Sequence, residues 1–140
     1  MIEEYIPGTP ATIGVLEIDG GLTTLPLHTV ETDRAFYDYT AKHDLSQRRE
    51  ACPADVPELT LTLLKQKALR VHRLIGAHGI SRVDFLLSPD GRMPVLEINT
   101  VPGLSEQGNL ATMARAGGNS YEDLIVHVLA TAFTKDAYVP

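Results

Sequence analysis

Asp84, Glu97 and Asn99 are the residues best suited to chemistry in this 140-residue chain. They lie in SRVDFLLSPDGRMPVLEINTVPG, residues 81–103, which alternates at period two on both sides of a turn. Val83, Phe85 and Leu87 alternate with Arg82, Asp84 and Leu86, and Leu96 and Ile98 alternate with Val95, Glu97 and Asn99. Asp90-Gly91 suits a two-residue type I′ turn, which needs positive φ at both loop positions. That loop places Asp84 opposite Glu97 and Arg82 opposite Asn99 on one face. Val83, Phe85, Leu96 and Ile98 then turn to the core, and a longer loop would slip the pairing.

Two carboxylates opposed across strands repel each other. At about 5 Å and an effective dielectric of about 20 the cost is roughly 3 kcal/mol. A hard divalent cation is one compensation, with Asn99 adding a neutral oxygen; magnesium typically takes one or two carboxylates plus substrate phosphates. The other is a solvated hairpin face on which Arg82 neutralises one carboxylate. Spacing alone favours the second.

The elements that must hold this hairpin follow from the rest of the chain. Residues 2–6, 11–18 and 22–27 read as an antiparallel meander, turned at Pro7-Gly8 and at Asp19-Gly20-Gly21, with Ile13, Val15 and Leu16 for the core. Residues 29–57 show no clean period, a long interval for a compact domain. Phe36, Tyr37 and Tyr39, followed by Lys42 and His43, suit either a nucleotide-binding loop or an ordered loop pinned by its aromatics. Asp55, Pro57 and Glu58 open a helix reaching about Ile75, with Leu61, Leu64, Ala68, Val71 and Ile75 as its apolar stripe and His72 on its wet side. A short helix spans residues 108–116. Ser120 and Asp123 start the last one with an approximate capping box, and Leu124, Ile125, Val128, Leu129 and Ala132 form its buried face.

The composition is that of a globular domain, long enough to bury a real core. A net charge of -6 and the lack of any basic run argue against nucleic-acid partners. No apolar stretch reaches membrane-spanning length, and MIEEYIPG lacks a signal core, so the cytoplasm is the expected compartment. One cysteine, Cys52, allows no internal disulfide. A strand-like start at residue 2, with nothing before it to pair with, is expected of the latter part of something larger.

EEYIPG, FYDYTAK, CPAD, RVDF, LEINTVPG and the closing helices, in this order and spacing, resemble the C-terminal half of the D-alanine–D-alanine ligases of the ATP-grasp superfamily. The resemblance covers essentially the whole chain. It implies an α+β fold, an ATP-grasp C-terminal domain with a largely antiparallel sheet and packed helices, forming one nucleotide- and metal-binding unit over residues 1–140 that lacks the family's upstream domains. It implies that Asp84, Glu97 and Asn99 hold two magnesium ions, or manganese, against ATP, and this shifts the balance toward the metal reading. Arg82 would stabilise developing negative charge, Lys42 would sit near the γ-phosphate, Phe36 beside the adenine, and Glu3 and Ile6 along the adenine edge.

The chemistry implied is a two-step ligation, through an acyl phosphate to a dipeptide for peptidoglycan precursors. Its partners are amino acids and ATP, and the family's habit makes a homodimer the expectation. His43 stands where the family has tyrosine, as in variants that accept D-lactate. Gly108 or Asn109 stands where a family serine takes the second substrate's carboxylate, and Pro10 falls near the family's ribose glutamate. The phosphate-covering glycine-rich loop, two ATP lysines and the first D-alanine site would lie before residue 1, so the isolated chain is expected to be inactive. Two alternatives remain: an ATP-grasp ligase for a different amino or hydroxy acid, and a truncated non-catalytic nucleotide-binding module.

Overall fold

The structure, a computed structural model, describes residues 2–32 and 48–134. Its organising element is β1 (Thr9–Ile18). Ala11, Ile13 and Val15 bury one face of this strand, and Gly14 and Leu16 bury the other, so it is apolar on both sides where helices cover it. Asp19 (φ 51°) and Gly20 (φ 75°) form a two-residue loop with both residues at positive φ, the type I′ signature, and lead into β2 (Gly21–Thr24). β3 (His28–Thr32) follows after a break at residues 25–27, which contain Pro26. β2 pairs with Val15 to Ile18 and β3 with Ala11 and Thr12, so the two lie end to end along one edge of β1.

β4 (Arg48–Ala51) flanks β3. β5 (Ile80–Leu87) takes the other edge of β1 from Thr9↔Leu87 to Leu16↔Ile80, and β6 (Val95–Asn99) lies outside β5. The order is β4-β3-β1-β5-β6 with β2 beside β1, all antiparallel.

Three helices complete the described residues: α1 (Glu58–Leu74), α2 (Asn109–Ala116) and α3 (Tyr121–Thr131). Leu64 and Ala68 of α1 join Ala11, Ile13, Val15, Leu27, Val83 and Phe85 in one core. Leu110, Ala111, Met113 and Ala114 of α2 and Leu124 of α3 join Leu16, Leu25 and Ile80 in the second core, on the opposite face. Gly14 permits this second packing, because a Cβ there would stand 2.8 Å from Leu25 Cδ1 and 2.9 Å from Leu110 Cδ2. The cover on this face sits over Gly14, Leu16 and Ile80. Thr12, Arg82 and Asp84 share the face beyond it and remain only half-buried.

Several expectations are corrected. Residues 2–6 form no strand, and Ile2 and Tyr5 are exposed. Both edges of β1 are already taken, by β2 and β3 on one side and β5 on the other, so the proposed meander has no edge for that segment. The interval without clean period contains most of β3 and all of β4. Asp55 caps nothing: the N-cap of α1 is Pro57, with no side-chain cap bond. His72 is buried rather than wet, at 1% exposure, with Nδ1 2.8 Å from Ser81 Oγ. It continues the buried row of Leu64 and Ala68 at intervals of four, whereas Ile75 is about half exposed. On α3, Leu129 is exposed and Thr131 is buried in its place. The capping box stands as expected, with Ser120 Oγ accepting from Asp123 N at 3.0 Å and Ser120 N donating to Asp123 Oδ2 at 2.9 Å.

Candidate active site

The hairpin differs from expectation in its turn and agrees in its register. Ser88 N donates to Arg92 O (3.0 Å) and Gly91 N to Ser88 O (3.0 Å), so the loop holds Pro89, Asp90 and Gly91. Gly91 is at φ 84°, whereas Asp90 is not at positive φ, and the expected type I′ turn is absent here. Asp90 instead accepts from Arg92 N at 3.0 Å and Arg92 Nε at 2.7 Å; the backbone bond first, then the side-chain bonds, lower its pKa to about 2.

The extra loop residue slips the pairing by one, giving Leu86 N to Pro94 O and Phe85↔Val95. An irregularity between Asp84 and Phe85 then absorbs Leu96 as a bulge and restores Asp84↔Glu97 and Arg82↔Asn99. Leu96 leaves the core position assigned to it and becomes 59% exposed, on the lip of a cavity.

The site grows out of three adjacent rows across the sheet. Thr12 pairs with His28 on β3 and with Asp84 on β5, and Asp84 with Glu97, so these four side chains form one row. Gly14, Arg82 and Asn99 form the row on the helix side. On the other side Pro10 pairs with Leu86, and Val30 lies two residues from His28 on the same face. A cavity of about 480 Å³ opens over these rows, lined by Thr12, Arg82, Asp84 and Glu97 together with Pro10, Val30, Leu86 and Leu96. An acidic row with a single arginine, beside an apolar row, suits a ligand with an apolar ring whose anionic tail is accompanied by cations.

Arg82 is the counter-charge within the site. Its Nη2 donates to Asp84 Oδ2 at 2.8 Å, and its Nε lies 3.1 Å from both Asp84 oxygens. Its Nη2 is also 3.6 Å from Glu97 Oε1. Thr12 Oγ1 donates to Asp84 Oδ1 at 2.9 Å. The two acids therefore differ: the Asp84 side chain is 18% exposed and held from two directions, and that of Glu97 is 65% exposed. Asn99 Oδ1 accepts from Val101 N at 3.0 Å, which fixes the amide at the strand end.

No cluster of three or more His, Cys, Asp or Glu residues is set to hold a metal among the described residues. The donor set is two carboxylates and the Asn99 amide on one face, all hard oxygens, and it fits magnesium chemistry. Asn109 opens α2 at the cavity wall. Gly108 is its N-cap and packs against the preceding loop, where a Cβ would meet Ser105 Oγ at 2.8 Å. Glu3 is exposed, and Ile6 lines a different hollow with Lys67, Arg92, Met93 and Pro94. Phe36, Lys42 and His43 lie outside the described residues. Sequence reasoning missed Thr12 and the apolar row of Pro10, Val30, Leu86 and Leu96. Alternation in β1 set Thr12 apart from Ile13 and Val15, and only the β1–β5 pairing showed what it meets.

The family model described as "D-ala D-ala ligase C-terminus" matches residues 1–130. The chain belongs to this family. It is 39% identical over 136 residues to a D-alanine–D-alanine ligase of Thermotoga maritima, covering 97% of the chain and 45% of that relative. A ligase of the same name from Nitrosospira multiformis is 35% identical over 132 residues, 42% of its length. The chain thus spans less than half the length of these relatives.

Among solved structures, a D-alanine–D-alanine ligase from Bacillus anthracis complexed with ATP superposes with a TM-score of 0.77 at 26% identity, covering 94% of this chain and 42% of that one. A D-Ala:D-Ser ligase from Enterococcus faecalis gives 0.74 at 26% identity, over 91% and 37%. The antiparallel sheet with packed helices is the α+β architecture of the ATP-grasp ligases, as the sequence led one to expect.

Proposed function

We propose that this domain is the nucleotide- and metal-binding portion of an ATP-dependent, ADP-forming D-alanine–D-alanine ligase that supplies peptidoglycan precursors. The observation that carries the reading is the pairing of Asp84 with Glu97, beside Arg82 and Asn99, over a cavity with an adjoining apolar row, in a chain of this family. Asp84, Glu97 and Asn99 would hold two magnesium ions, or manganese. Bound there, the ions supply neutralisation and alignment of the ATP phosphate oxygens.

The chain's own residues do the rest. Pro10, Val30, Leu86 and Leu96 offer an apolar bed to the base, with Phe36 and Glu3 as the sequence-derived contacts beside it, whereas Ile6 faces the separate hollow. Lys42 is the residue that the family resemblance assigns to the γ-phosphate. The carboxylate of the first D-alanine takes the γ-phosphoryl group and ADP leaves. The amine of the second then attacks the acyl carbon and phosphate departs. Arg82 sets a fixed positive charge beside the groups on which negative charge develops. Asn109, with Gly108, receives the second substrate's carboxylate. Formation of a homodimer and residence in the cytoplasm belong to the same reading, as does inactivity of this portion by itself.

A second reading changes only the acceptor. The Enterococcus faecalis neighbour is a D-Ala:D-Ser ligase, and Gly108, Asn109 and His43 depart from the family pattern in the acceptor region, so a different amino or hydroxy acid is the alternative. Calorimetric titration of ADP with and without magnesium tests the site. Binding that needs magnesium and is lost in Asp84→Asn/Glu97→Gln is expected; binding indifferent to both refutes the metal assignment. The full-length ligase with D-alanine, D-serine and D-lactate as acceptors then separates the two readings.

A further inference from the structure

We infer that Thr12 is a positioning residue for the Asp84 carboxylate and thereby sets the affinity of this site for a divalent cation. The inference rests on the metal reading above and names a determinant within it.

Asp84 is held from two directions. Arg82 lies two residues away on the same strand and moves with it. Thr12 reaches it from β1, where the Thr12↔Asp84 pair sits within a ladder of eight successive pairs. Threonine is branched at Cβ and stiff at χ1, so its hydroxyl is presented from a fixed position. The terminal torsion of an aspartate has broad wells, and the 2.9 Å bond from Thr12 Oγ1 to Oδ1 narrows them. Thr12 also orients without charge. Arg82 contacts the same two oxygens as a cation and competes with a metal, whereas a neutral hydroxyl leaves the acceptor's charge in place. The largely exposed Glu97 is the adjustable arm of the pair and Asp84 is the fixed one.

Partners that orient metal ligands typically carry about 10–100-fold in affinity. Thr12→Val keeps the branched shape and removes the hydroxyl, and Thr12→Ser keeps the hydroxyl. The experiment is manganese titration of the chain with ADP present, followed by electron paramagnetic resonance, on wild type, Thr12→Val, Thr12→Ser and Asp84→Asn. Thermal unfolding of each variant checks that it is folded. Binding about tenfold weaker in Thr12→Val and restored in Thr12→Ser, at similar thermal midpoints, is the expected result. Thr12→Val binding like wild type overturns the inference while the metal reading survives, because Asp84→Asn still fails to bind. Equal weakening in both Thr12 variants also overturns it, since the hydroxyl would then be irrelevant. No manganese bound by wild type removes the metal reading and this inference together.

Discussion

The buried pair of His72 and Ser81 makes a stability prediction whose size and sign both follow from geometry. His72, on α1, is 1% exposed and Ser81, on β5, is 0% exposed. They share one bond of 2.8 Å, and His72 Nε2 has no hydrogen-bond partner among the described residues. Removing one member strands the other. Ser81→Ala leaves both ring nitrogens unpaired, and His72→Leu leaves the hydroxyl unpaired; each costs about 1–3 kcal/mol. Replacing both removes the polar demand, and the double variant should return to within about 1 kcal/mol of wild type.

The same pair predicts a pH dependence. Burial pushes the His72 pKa below the ordinary 6.5, outweighing the opposite pull of the Glu17 carboxylate and aided by Arg73 and His78. The unfolded chain then binds the proton first. Stability is whole above about pH 6.5 and is lost as the pH falls toward the folded-state pKa, by at most about 1.4 kcal/mol per pH unit. Urea unfolding of the four chains between pH 5 and pH 8 reads both effects. The double variant should lack the share of the acid slope that wild type owes to His72. Additive losses in the double variant, or identical slopes in wild type and His72→Leu, would refute the reasoning.

Two further outcomes follow. Arg82→Met removes the counter-charge from facing carboxylates; with Glu97 largely exposed and screened, the loss should be about 1–2 kcal/mol at low salt, with magnesium raising the thermal midpoint more in the variant than in wild type. An unchanged midpoint and an equal magnesium response would contradict the assigned role of Arg82. Ser120→Ala removes the hydroxyl half of the capping box on α3, leaving the Ser120 N–H bond to Asp123 in place, and should lower the thermal midpoint by about 3–5 °C. The backbone N–H of Ser120, then its hydroxyl, hold the Asp123 pKa below the carboxylate range, so this contribution is present at neutral pH and is lost as the pH falls through that lowered value. A midpoint gap between the two chains that persists unchanged in strong acid would contradict that link.

The outcome at the hairpin shows why the site was legible while its surroundings were not. Asp84 and Glu97 were paired correctly although the turn was assigned wrongly, because the three-residue loop and the Leu96 bulge displace the register by equal and opposite steps. Alternation reports which face a residue shares with its own strand, and this placed Asp84 and Glu97 with Arg82 and Asn99. It carries no trace of a bulge, so Leu96 was assigned to the core. For the same reason residues 2–6 looked like a strand: their pattern is local, whereas the lack of a free edge on β1 is a property of the whole sheet.

The sequence by itself determined the family, the antiparallel α+β class, the three helices, the capping box of α3 and the acidic pair, since each rests on spacing within a few residues or on ordered motifs. Tertiary structure alone decided what lies across from what. It set Thr12 against Asp84 over 72 positions of chain and His72 against Ser81, and it put the apolar row of Pro10, Val30, Leu86 and Leu96 beside the charged one. These contacts depend on strand order and on which helix covers which end of the sheet. Strand order follows from competition among all the strands for two edges of β1, and no local period encodes it.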